Sequence, residues 1–152
     1  MKAEEIRSLS VDELESKLGV QVAVSVFPDV TTWKEARDSY QYDFYTMGWF
    51  GDYNDPETFL QLFITGGGYA KFFGGFSNAR YDELMAEAYG TQDNDQRLAD
   101  FIEAENILLE EGGIAPIYFE TKQYYAQSYV KGVSYPMFGA NFEFSRAYIV
   151  KH

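Results

Sequence analysis

The sequence contains no cysteine, and its single histidine is the last residue, His152. The first absence removes a disulfide framework, a thiolate metal site and a cysteine nucleophile, and it leaves the redox compartment unmarked. The second leaves a Ser/His/Asp triad without a usable base. Long apolar runs are missing as well. No segment is long enough to cross a bilayer, and Met1-Lys2 leads into Ala3-Glu4-Glu5-Ile6-Arg7, polar where a secretory leader would be apolar. The chain as it stands is expected to be soluble. Positive charge is scarce: 12 Lys and Arg face 24 Asp and Glu, a formal net charge of −12. That sign repels phosphate backbones and anionic lipid, so no nucleic-acid partner is expected.

Aromatic residues are what the chain has in excess, with 13 Phe, 13 Tyr and 2 Trp among 152 residues. Most of them belong in a core, but Tyr and Trp also suit a surface that meets both apolar and polar parts of a partner. Ile6, Leu9, Leu14 and Leu18 recur at loose helical spacing and Gly19 closes that segment. Residues 20–27 alternate Val20, Val22, Val24 and Val26 and read as the clearest strand. Thr32-Trp33-Lys34-Glu35 matches a capping box opening a short helix to about Ser39, and residues 42–49 read as a second strand that ends on Trp49. Asp55-Pro56-Glu57 starts a buried helix over about 56–64, with Asp55 as its N-cap. Tyr81, Leu84, Met85 and Ala88 place a helix at about 78–89. A longer one at about 94–111 carries Leu98, Phe101, Ile102, Leu108 and Leu109 and is stopped by Gly112-Gly113. Strands follow at 114–120, 123–129 and 144–150, Pro116 marking an edge. The expected class is α/β, a mixed sheet flanked by helices.

The chemical options are few. Asp52, Asn54 and Asp55 superficially match a calcium loop, but the required glycine and terminal glutamate are missing and Pro56 breaks the spacing. The glycine-rich stretch 66–76 has neither GxGxxG nor GxxxxGK[ST], which removes the phosphate-cradling readings. A catalytic carboxylate pair would need Asp55, which is better used as a helix cap. No metal, no cofactor and no enzyme activity are expected, which leaves binding.

"YDFYTMGWFGDYNDPETFL" (42–60) resembles a segment of the oligopeptide-binding proteins of ABC transporters, family 5 of the solute-binding proteins. Four further stretches are similar to that family in the same order: Leu18-Gly19-Val20 with its strand, "GGFSNARYDELMAEA" (74–88), "APIYF" (115–119) and the ending "AYIVKH" (147–152). Ala79 departs from the family's proline, and Thr46 stands where one member has a basic ligand-site residue.

The resemblance implies the C-terminal lobe of a periplasmic-binding-protein-like fold of the class II type. Residues 1–152 would form a single lobe of a larger two-lobed protein, with a tail from about 130 to 152 crossing toward the other lobe. It implies an oligopeptide ligand held between the lobes, a membrane permease as partner of the full-length protein, and a monomer here. The implied location is extracytoplasmic, in the periplasm or as a surface lipoprotein, with the leader and lipidated cysteine in another part of the protein.

In this reading Asp52 receives the peptide α-ammonium. Trp49 is an aromatic wall, Phe50 and Gly51 offer backbone for pairing, and Tyr53 adjoins them. Thr46, Tyr69, Phe72 and Phe73 are candidates for a side-chain pocket. The plainer alternatives are a turn cap for Asp52, core packing for Trp49 and loop anchoring for the pocket residues. At the level of function they are a free-standing scaffold domain, or a family member that binds nickel, haem or an oligosaccharide.

Overall fold

The computed structural model describes residues 3–119 and 121–151, with side chains from residue 11 onward. Met1, Lys2, Glu120 at the end of one expected strand, and His152 lie outside them, as do the side chains of Ile6 and Leu9. The chain divides into two compact units, residues 1–36 and 37–152.

In the first unit, α1 (Ala3–Leu18) ends where expected. Gly19 takes φ +66° and its amide donates to the Glu15 carbonyl at 3.0 Å, which is the closure that only glycine adopts cheaply. The start of α2 (Val30–Asp38) corrects the expected capping box. The cap is Asp29, whose Oδ1 accepts from the Thr32 amide at 2.9 Å and from its hydroxyl at 3.0 Å. An ionised carboxylate one turn earlier outcompetes the threonine hydroxyl as acceptor for the free amides. Residues 20–27 are not a strand. Their alternation makes one edge apolar, but a strand needs a neighbouring ladder, and Val24 and Val26 stay exposed.

The second unit holds the core. α3 (Glu57–Leu60) continues as a 3₁₀ turn, Gln61–Phe63, and another 3₁₀ turn, Ala70–Phe72, lies inside the glycine-rich stretch. α4 (Ala79–Gly90) opens on Asn78, whose side chain accepts from the Tyr81 amide at 2.9 Å. α5 (Asn94–Glu110) opens on Asp93, which accepts from the Asp95 and Gln96 amides. These two helices pack together, and Tyr81, Leu84, Met85 and Ala88 are all buried between them and the 60–63 segment. α5 contributes Phe101, Ala104 and Leu108 to the core, while Leu98, Ile102 and Leu109 face outward, contrary to the sequence expectation. Three residues at i, i+3 and i+7 define one stripe, and Leu98 and Ile102 fall off it. Gly112, at φ +69°, ends the helix.

Strand content is far smaller than expected. β1 (Val130–Lys131) pairs antiparallel with β2 (Tyr148–Ile149), with Val130 opposite Ile149. The expected strands at 42–49, 114–119 and 123–129 carry no ladder, and only Tyr148–Ile149 of 144–150 does. Ile117, Tyr118 and Phe119 are strongly exposed, so that segment has the composition of a buried strand with no neighbour among the described residues.

The Tyr81 ring is fully buried and its hydroxyl donates to the Leu60 carbonyl at 2.6 Å. Tyr81→Phe removes that bond and is expected to cost about 0.5–1.5 kcal/mol. Leu84→Ala opens a cavity and is expected to cost about 2–5 kcal/mol. Urea unfolding measures both, and unchanged midpoints would show that this is not the core that holds the fold.

Candidate functional site

The expected site residues fall on the segment 42–53, which is held by side chains rather than by a ladder. Tyr42 and Tyr45 meet edge to face at 5.0 Å, and the Tyr45 hydroxyl donates to the Phe72 carbonyl. Burial, reinforced by Tyr42, pushes the Tyr45 phenol up to about 12. Trp49 packs against the core and meets Tyr69 edge to face at 5.2 Å and Phe73 at 5.8 Å. Phe73 in turn meets buried Phe63 at 5.4 Å. Trp49, Tyr69 and Phe73 thus form one aromatic cluster whose inner side is core, and the buried Trp49 Nε1 has no partner among the described residues.

Phe72 and Thr46 do not join that cluster. The Phe72 ring takes Arg37 over its face at 4.5 Å and Lys71 at 4.7 Å, and Thr46 is exposed. Phe50 is exposed, with the Lys122 ammonium 5.3 Å from its ring centre. Phe50 and Lys122 also line an open concavity of about 340 Å³ with Tyr124, Tyr135, Pro136 and Met137. Sequence reasoning missed this wall; the tyrosine-rich run 123–129 was its one signal.

Asp52 leaves the segment with its carboxylate exposed and unpartnered among the described residues, while its amide donates to the Thr58 hydroxyl at 3.1 Å. Thr58 is fully buried. Gly51 sits where a Cβ would come within 3.0 Å of Phe138, 3.2 Å of Thr58 and 3.3 Å of Phe59, so a larger residue would displace the loop. The Tyr53 hydroxyl accepts from the Gln61 amide at 3.3 Å, and burial with the nearby Glu57 charge raises its pKa.

Asp55 caps α3 as expected, its Oδ1 accepting from the Glu57 amide at 2.9 Å. It also forms a two-pronged pair with Arg97, at 2.7 Å and 3.0 Å, and Glu57 stands 3.8 Å from the same guanidinium. Arg97 is the residue sequence reasoning missed; its signal was to be the only basic residue in α5. Hydrogen bonding from Arg97 holds the Asp55 carboxyl below its ordinary value of 3.8. A lowered carboxylate contributes stability that is complete above the ordinary value and is lost as pH falls through the lowered one. The stability gap between wild type and Asp55→Asn is therefore expected to be constant from pH 7 to about 5 and to close below about pH 4. Denaturation at each pH measures it, and a gap independent of pH would refute the pairing.

The chain matches no family model. It is 36% identical over 123 residues to the periplasmic murein peptide-binding protein MppA of Escherichia coli, a match covering 80% of this chain and 22% of that protein. It is 34% identical over 131 residues to the oligopeptide-binding protein OppA of Bacillus subtilis, covering 84% and 23%. Among solved structures, an oligopeptide ABC transporter substrate-binding domain from Bacillus anthracis superposes with TM-score 0.82 at 28% identity, over 98% of this chain and 29% of that one. Listeria monocytogenes OppA bound to peptide superposes with TM-score 0.77 at 29% identity, over 99% and 28%. The chain thus spans about a quarter of the length of the relatives it matches, and its helix-rich architecture with a small sheet is that of a lobe of their fold. The matched relatives are oligopeptide- and dipeptide-binding proteins of solute-binding family 5, and this chain is homologous to about a quarter of their length.

Proposed function

We propose that this chain supplies one lobe of a two-lobed, extracytoplasmic binding protein that captures oligopeptides for an ABC importer, with Asp52 as the anchor for the peptide α-ammonium. The observation that carries the reading is the contrast within Asp52: a backbone tied to buried Thr58, and a carboxylate left free of protein partners among the described residues. A charge-assisted bond to an ammonium gives that carboxylate a partner once a cleft excludes water. Beside it, the backbones of Phe50 and Gly51 make no hydrogen bond among the described residues, so an extended peptide can pair with them irrespective of its side chains. The exposed parts of Trp49 and Tyr69, with Tyr53, flank that line, and the residues from 130 to 152 form the tail toward the second lobe. Thr46, Phe72 and Phe73 play a lesser part in this reading, because the first stands apart and the other two are held by loop and core packing. The partner of the complete protein would be a membrane permease.

In the complete two-lobed protein, Asp52→Asn keeps the volume and removes the counter-charge. Leaving a buried charge unpaired costs about 2–5 kcal/mol, so affinity is expected to fall roughly 30-fold or more. N-terminal acetylation of the peptide is expected to weaken wild type comparably and the mutant little further, because both changes delete one interaction. Calorimetry over the four combinations decides it, and equal binding of free and acetylated peptides by wild type would remove Asp52 as the anchor.

The 152-residue chain alone is expected to bind peptides weakly or not at all, since a single lobe leaves the ligand half solvated. Sub-micromolar binding by the isolated chain would contradict the two-lobed reading.

A further inference from the structure

We propose that Arg97 is a positioning residue for the Asp52 anchor, reaching it through Asp55. This inference rests on the reading of Asp52 given above. It starts in the core, where the Phe101 ring is buried and carries the Arg97 guanidinium 4.5 Å from its centre. A planar guanidinium stacked on a fixed ring has little freedom, and its fork then grips both Asp55 oxygens, at 2.7 Å and 3.0 Å.

Asp55 distributes that constraint through the loop. Its amide donates to the Tyr53 carbonyl at 3.0 Å, its Oδ1 accepts from the Glu57 amide at 2.9 Å, and its carbonyl accepts from the Thr58 amide at 3.3 Å. The Thr58 hydroxyl closes the loop on the Asp52 amide at 3.1 Å. The backbone on both sides of Asp52 is thereby referred to α5, and its carboxylate is presented from a fixed point with no side-chain bond of its own among the described residues. The pair joins residues 42 apart in sequence.

Charge alone predicts the opposite effect. Asp52, Asp55 and Glu57 crowd three carboxylates into six residues, and Arg97 offsets part of that field. Removing Arg97 would make the loop more negative and, through the field alone, improve attraction for an ammonium. Positioning predicts a loss instead, because an anchor displaced by an ångström no longer meets its partner at hydrogen-bond distance.

The test uses the complete two-lobed protein and a pair of peptides, one with a free amine and one acetylated. Arg97→Met is expected to weaken the free-amine peptide roughly three- to thirtyfold and to leave the acetylated peptide unchanged. Arg97→Lys keeps the charge but loses the fork and is expected to fall between. Thr58→Val, which removes only the last link, is expected to reproduce the amine-selective loss in a fold that keeps the Arg97 pair.

Unchanged or improved binding of the free-amine peptide by Arg97→Met and Arg97→Lys overturns the proposal. So does an equal loss for both peptides, which would mark a purely structural role. These outcomes leave the Asp52 anchor standing. Wild type that binds both peptides equally overturns the anchor and the positioning role together.

Discussion

The hydrogen bond from the buried Tyr81 hydroxyl to the Leu60 carbonyl is the contact on which the larger unit turns. It joins the α4–α5 pair to the short α3 segment, and the site loop leads directly into that segment. A phenol removed from water needs an acceptor, and the Leu60 carbonyl, which opens the 3₁₀ turn Gln61–Phe63, has a second lone pair to offer it. Each satisfies the other. Burial accordingly raises the Tyr81 pKa, keeping the phenol a donor across the physiological range. Leu62 and Phe63 are drawn under the helix pair by the same registration, and Phe73 and then Trp49 pack edge to face outward from Phe63. The candidate site is thus the outer layer of a continuous aromatic packing that begins in the core.

Charge organises the surface of that packing in two ways. Arg80 is exposed and shared among Glu83, Glu87 and Glu103, at 2.7, 3.7 and 3.0 Å. Such a solvated network adds little stability in water, and its main effect is to relieve repulsion along two acid-rich helices. Arg97 differs in being half-buried, stacked on Phe101 and paired through both prongs. Geometry, not charge count, separates a solvated pair from a structural clamp. The net charge of −12 makes the chain a poor partner for polyanions.

The helices of the second unit could be read from the sequence with few errors, because their determinants are local. Asn78 and Asp93 cap α4 and α5 with side chains one turn from the amides they satisfy, and the stripe Tyr81, Leu84, Met85, Ala88 is the buried face. The position of Asp52 just before the Asp55-Pro56 helix start was equally local. The strands were misread for a complementary reason. Alternation at 20–27 and apolar runs at 42–49 and 114–119 describe one partner of a ladder, and a strand exists only where a second segment supplies the hydrogen bonds. The chain spans about a quarter of its relatives, and the pairing of those segments is not encoded within them.

The sequence by itself determined the Gly19 closure of α1, the Asp55 start of α3, the core stripe of α4, the absence of cysteine and the likeness to peptide-binding proteins, since each depends on composition, on neighbouring residues or on ordered short motifs. Only the tertiary structure decided that Trp49 is anchored between Tyr69 and Phe73 and that Leu98, Ile102 and Leu109 face outward. It alone brought Arg97 to Asp55. The packing of α3 against α5 sets that distance, and no periodicity within either segment records which cation will meet which carboxylate across 42 residues.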